Sequence, residues 1–202
     1  MINSKSREQI LQAIGKNKPE PAPLPNIPAQ WAVDSVNSSE HLLQTFTETL
    51  QKIGAAVATA STVEAIRAII SHHYPQAVHI CSTFAAVQGS VSLENIQHPA
   101  ELACVEVAIV EGSLGVAENG AIWLTESQMV HRALPFITQH LVIVLPSWRI
   151  VGNMHAAYQR IGQISEGFGT FISGPSRTAD IEQSLVIGAH GARSLLVCLL
   201  TS

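Results

Sequence analysis

The segment Ser173-Gly174-Pro175-Ser176-Arg177-Thr178-Ala179-Asp180-Ile181-Glu182, followed by Gly188-Ala189-His190-Gly191, gathers the groups of this chain best suited to chemistry. Hydroxyls and a guanidinium stand beside a turn-forming Gly-Pro. Asp180 can N-cap a helix, with Gln183 at the capping-box partner position. Small residues let a ligand approach the backbone, and a helix start offers free N–H groups to an anion. The chemistry indicated is capture of a small anion, with Ser173, Gly174, Ser176, Arg177, Thr178, His190 and Gly191 as its contacts. The competing reading is a well-capped turn whose Arg177 pairs with a neighbouring carboxylate and whose His190 is structural. The segment alone leaves both open.

A second loop, Gly112 to Gly120, joins two apolar runs. Asn119-Gly120 is a turn signal, because both residues tolerate positive φ, and both are further candidate contacts for the anion. Glu118 beside it is either a solvated turn residue or a nucleophile, general base or ligand anchor. The catalytic roles need partial burial and a tuning partner. Arg132, after His131 and before Leu134-Pro135, can bind an anion through its fork of donors or pair with a carboxylate. The nine histidines show neither H-x-x-x-H nor H-E-x-x-H spacing, so no metal site is expected. G-x-S-x-G and G-x-G-x-x-G are both absent, which argues against a serine hydrolase and a dinucleotide-binding fold.

The elements that must position these loops follow from periodicity. Residues 3–16 read as a short helix with Ile10, Leu11 and Ile14 on one face, and five prolines between Pro19 and Pro28 then impose an extended arm. A helix of this length needs something to dock on, its own core or another chain. Residues 1–30 are therefore an arm, and the compact domain is placed at 35–202. Leu43, Phe46, Leu50 and Ile53 mark a helix ended by Gly54, and Ala55 to Ala60 a strand. Ser61-x-x-Glu64 reads as a capping box for the next helix, which carries Val63, Ile66 and Ile70. Further strands are expected at 77–81, 105–110, 121–125, 140–145, 169–172 and 194–200. Helices are expected at 83–87, at 153–161 and from Asp180 onward. This alternation predicts an α/β fold with helices on both faces. The strands 105–110 and 121–125 lie too close for a helical crossover, so a hairpin between them, and a mixed sheet, is expected.

Composition narrows the class. The 202 residues suffice for one sizeable domain, 47% of them hydrophobic and 13% charged, with a formal net charge of -4. No basic stripe interleaved with aromatics exists, which argues against nucleic-acid binding. Cys81, Cys104 and Cys198 are far apart in apolar surroundings, so buried free thiols in a reducing cytoplasm are expected. They form no cluster-ligating motif. The apolar runs are strand length, too short to span a membrane, and no signal-peptide pattern opens the chain.

Taken together, Ala117-Glu118-Asn119-Gly120-Ala121, Arg132, Leu134-Pro135, His140, Ser173 through Glu182 and Gly188-Ala189-His190-Gly191 resemble the lactate-utilization protein C type of the LUD family. Asn119 and Ala121 stand where that family usually has Thr, and Ala192 where it has Pro. The resemblance implies a NagB/RpiA/CoA-transferase-like fold. It implies a role in oxidising L-lactate to pyruvate, beside companion subunits that carry iron–sulfur clusters, with no cofactor in this chain. A homo-oligomer, or docking of the arm on such a partner, would fit it. Glu118-Asn119-Gly120 also resembles the turn of class I CoA transferases in which Glu attacks an acyl thioester. The alternative is thus a free-standing enzyme acting on an acyl or phosphorylated substrate through Glu118.

Overall fold

The computed structural model describes residues 4–20, 22–23, 28, 38–162, 166–179 and 185–201. Its framework is a five-stranded sheet in the order β1-β11-β6-β3-β2, formed by Ala56–Ala60 (β1), Ser194–Leu200 (β11), His140–Pro146 (β6), Val107–Glu111 (β3) and Ile80–Ser82 (β2). Every pairing in it is parallel. The central strands are apolar through their middles, with His140, Ser194 and Glu111 at their ends, because both faces are covered. Ala108, Val110, Leu141, Ile143, Leu145, Leu195, Val197 and Leu199 form one buried face with Phe46 and Leu50 of α2 (Ser39–Lys52). Val107, Ile109, Val142, Val144, Leu196 and Cys198 form the other, against Ile66 and Ile70 of α3 (Val63–His73). The period-two alternation of strand side chains produces this division.

A second sheet, β7-β4-β5-β8, stacks on the α2 side. It comprises Ile150–Val151 (β7), Leu114–Val116 (β4), Ala121–Thr125 (β5) and Gly169–Ile172 (β8). Ile122 and Leu124 face inward to the shared core. Trp123 and Val151 face outward to Ala156 and Ala157 of α6 (Met154–Ile161). Asn153 caps α6 by accepting a hydrogen bond from the Ala156 N–H at 2.9 Å. Two short helices, α4 (Glu126–Met129) and α5 (Leu134–Ile137), lead from β5 to β6.

The expected hairpin therefore exists, between β4 and β5 rather than between the 105–110 and 121–125 strands. β3 stays in the parallel sheet, and the chain changes sheets at Gly112-Ser113. A Cβ on Gly112 would meet Ile122 Cγ2 at 2.7 Å and Ile143 Cγ2 at 3.1 Å, so only glycine fits where the sheets converge. The cap of α3 is Thr62, whose hydroxyl accepts from Ala65 N, one residue later than expected. The strand expected at 77–81 begins at Ile80, because the N–H groups of Val78 and His79 donate to the Glu106 carboxylate instead of a ladder. Residues 83–87 are a turn rather than a helix, closed by Val87 N to Phe84 O at 2.9 Å.

The largest revision lies after Ser176. Arg177–Ala179 (β9) and Leu185–Ile187 (β10) form an antiparallel pair, so Leu185–Ile187 is strand where a helix was expected. Val186 and Ile187 are β-branched and favour that state. Asp180 and Gln183, the proposed cap pair, lie outside the described residues.

Ser4–Lys16 forms α1, with Ile10, Leu11 and Ile14 each at least half exposed. Cys81 and Cys198 are buried, and burial pushes their thiols up to about 11 and about 12. Cys104, expected to be buried, is exposed at the end of the turn Pro99–Cys104, where its thiol donates to Glu101 O. No helix among the described residues is long and apolar enough to cross a membrane.

Candidate functional site

The loops Ser173–Arg177 and Gly188–Ala192 are tied together by backbone hydrogen bonds. Ser176 N donates to Ala192 O at 2.9 Å and Gly188 N to Ser176 O at 3.0 Å. A Cβ on Gly191 would lie 3.0 Å from Ser176 Cβ, a spacing that suits glycine. Together they border a cleft of about 350 Å³, lined by Ser173, Gly174, Ser176, Arg177, His190 and Gly191. Pro135 and Phe136 form another part of its wall, and Leu141 and Leu195 also line it. Leu141 and Leu195 follow the first residues of β6 and β11, so the cleft lies at the amino ends of the central strands. The general rule for open α/β sheets places ligands beyond the carboxyl ends, and this cleft lies at the other end.

A residue not singled out from the sequence organises the site. Gly54, read only as a helix stop, has φ +90°, and the Arg177 guanidinium lies directly over it. Arg177 thus stands at the C-terminus of α2, where a cation is favoured by the helix dipole. Ile53 beside it touches both flanking turns. Cβ atoms on Gly120 and Gly174, both at positive φ, would meet Ile53 Cδ1 at 3.0 Å and Ile53 O at 3.2 Å. Ser173 Oγ donates to Asn119 O at 2.8 Å, and Asn119 Oδ1 accepts from Ala121 N at 3.0 Å. The Glu118–Gly120 turn is therefore joined to the Ser173–Arg177 loop. Among the described residues, Arg177 makes no ion pair. Nothing in the sequence indicates which of its arginines stands apart from a carboxylate.

Glu118 does not line the cleft. It is exposed, and its Oε1 accepts from Met154 N at 2.8 Å, satisfying one open donor in the first turn of α6. Arg132 lies elsewhere, bound to Glu126 through Nε–Oε1 at 2.6 Å and Nη2–Oε2 at 3.0 Å, with its guanidinium over the Phe168 ring. The carboxylate-pairing alternative is the one the structure places at Arg132. Thr178 contributes backbone pairing to Val186. Among the described residues, no three His, Cys, Asp or Glu side chains gather as a metal ion would require.

On the opposite face of the same strand ends, His140 Nδ1 lies 2.8 Å from Ser194 Oγ, which lies 3.3 Å from the Tyr74 hydroxyl. Burial first, and the charge of Arg193 second, hold His140 below its ordinary range, with Glu106 acting the other way. The folded protein thus binds fewer protons here than the unfolded chain. Stability from neutral His140 is complete above the unfolded value of about 6.5 and is lost as pH falls through the window below it. Melting temperature should therefore drop on acidification from about pH 7 to about pH 5. The drop should be shallower in His140→Gln; equal slopes in thermal melts would refute the assignment.

The LUD domain model matches residues 91–200, more than half of the chain. Lactate utilization protein C of Shouchella clausii is 36% identical over 92 residues, 43% of this chain and 40% of that protein. The protein of the same name from Geobacillus thermodenitrificans is 32% identical over 121 residues, 57% of this chain and 47% of that protein. Each of these matches spans less than half of the relative's length. The crystal structure of a DUF162 family protein from Deinococcus radiodurans superposes with a TM-score of 0.65 at 19% identity, covering 81% of this chain and 99% of that one. That likeness concerns the fold.

Proposed function

The chain belongs to the LUD domain family, and from that premise we propose that it serves L-lactate oxidation to pyruvate as a subunit without a cluster, beside iron–sulfur partner subunits. In this reading the Ser173–Gly191 cleft holds a small carboxylate, L-lactate or pyruvate. The supporting observation is Arg177, unpaired among the described residues, on the wall of a cleft that also presents Ser173, Ser176 and His190. A guanidinium binds a carboxylate through two parallel N–H donors, and the glycines at 174 and 191 keep its approach open. Neutral hydroxyls and the imidazole can then orient the substituent on the α-carbon. The proposed partners would supply the redox centre, and the apolar face of α1 offers them a docking element.

Deleting the gene in its native cell and restoring it as parent or as Arg177→Ala tests the reading. Growth on L-lactate should return with the parent and stay impaired with the variant at equal protein level. Full growth of the deletion strain would overturn the role in lactate oxidation, and full rescue by the variant would overturn the role of the cleft. The acyl-transfer alternative needs Glu118 free to attack, whereas its carboxylate is engaged by Met154 N. Acyl-CoA turnover by the isolated chain that disappears in Glu118→Gln would reinstate it.

A further inference from the structure

A second cleft, of about 650 Å³, opens beyond the carboxyl end of β2, on the side of the sheet at which open α/β folds take their ligands. It shares no lining residue with the Ser173–Gly191 cleft. Its floor is the turn after β2. Thr83 anchors this turn to β3 through N–H and hydroxyl bonds to Ile109 O, at 2.9 and 3.4 Å. Among the described residues, no carbonyl or side chain accepts from the N–H groups of Phe84, Ala85 and Ala86 between Thr83 and Val87. Arg67 of α3 reaches over the turn and donates both Nε and Nη2 to Ala86 O. Two of its five N–H groups are used there, which leaves three for a ligand. It makes no ion pair among the described residues.

Ser92, Glu94 and Val130 also line the cleft. Val130 has φ 61° and ψ -51°, and His131 N donates to Met129 O at 2.7 Å, so the chain makes a γ-turn of the rarer hand. A β-branched, half-exposed side chain in that conformation is strained, and such strain clusters at ligand sites.

We propose that this cleft binds a small phosphate monoester. A turn of free N–H groups capped by a guanidinium forms a concave donor surface for an anion. Three amides and the Arg67 fork match the three terminal oxygens of a phosphate better than the two of a carboxylate. The remaining volume suits a small polar organic group, since ligand sites span roughly 300–1,000 Å³. Ser92 and Glu94 face that group and accept from its hydroxyls.

Amide-resolved NMR titration of the full chain with glycerol 1-phosphate, and with glycerol as control, tests the assignment. Saturable shifts are expected at Phe84, Ala85 and Ala86 with the phosphate ester and not with glycerol. Arg67→Gln should weaken binding at least tenfold while the rest of the spectrum is kept. Arg67→Lys should fall between, and Arg177→Ala should bind as the parent. Absence of saturable shifts, shifts centred on Gly174 to Arg177, or parental affinity in Arg67→Gln would each overturn the proposal.

Discussion

Arg177→Ala is expected to weaken L-lactate or pyruvate binding by about tenfold to a hundredfold while the fold survives. A charge-assisted hydrogen bond contributes about 1.5–3 kcal/mol, and each ~1.4 kcal/mol is a factor of ten in affinity. The stability cost should be small. Arg177 is exposed, and its described structural contact is with Gly54 at the α2 C-terminus. An exposed charge at a helix end contributes only ~0.3–1 kcal/mol. Calorimetric titration and thermal melts on one preparation separate the two effects. A variant that binds as the parent but melts far lower would make Arg177 a clamp on the α2 terminus and nothing more.

Phe46→Ala is expected to have the largest effect on stability, about 3–5 kcal/mol. That is a large part of the ~5–15 kcal/mol holding a typical domain folded. Phe46 is fully buried, and its ring lies between α2 and the β4 backbone. A Cβ on Gly115 would come within 3.0 Å of Phe46 Cζ and 2.8 Å of Leu145 Cδ2, so the glycine exists to admit the ring. Denaturant unfolding should show a lower midpoint in Phe46→Ala and an intermediate one in Phe46→Leu. A midpoint within error of the parent would mean that the two sheets are not joined through this residue. Because α2 also carries Ile53 and Gly54 at its other end, loosening it should reach the anion cleft as well.

Local patterns were readable wherever one face of an element is buried. The stripe Leu43-Phe46-Leu50-Ile53 marks α2, and the apolar runs at 121–125, 169–172 and 194–200 match β5, β8 and β11 in bounds. Pairing was not readable in the same way, because it depends on which distant strand lies alongside. Periodicity cannot show that the chain leaves one sheet at Gly112 and enters another at Leu114. The segment after Ser176 misled for a related reason. A cap-like Asp180 suggested a helix, whereas the partner available to Val186 and Ile187 was the preceding strand. At the site, residue types indicated Ser173 to Arg177 and His190-Gly191, but not Gly54, which does its work through an empty Cβ position. Arg67 and the 84–86 turn gave no signal, since unused N–H groups leave no mark on side-chain identity.

The treatment of the two outer strands of the parallel sheet has a consequence for assembly. On β2, Ser90 and Val91 fold back along the border, Ser90 N and Val91 N both donating to Ile80 O, and Cys81 bridges Val91. On the far side, β1 pairs only with β11 among the described residues. A sheet blocked along one border and open along the other can grow in a single direction. Joining two copies through β1 would use up the open border of this sheet in both at once, so strand addition to the five-stranded sheet would end at a pair. The hydroxyl of Ser90, which donates to Val78 O and accepts from Ile80 N, fastens the segment that blocks this border.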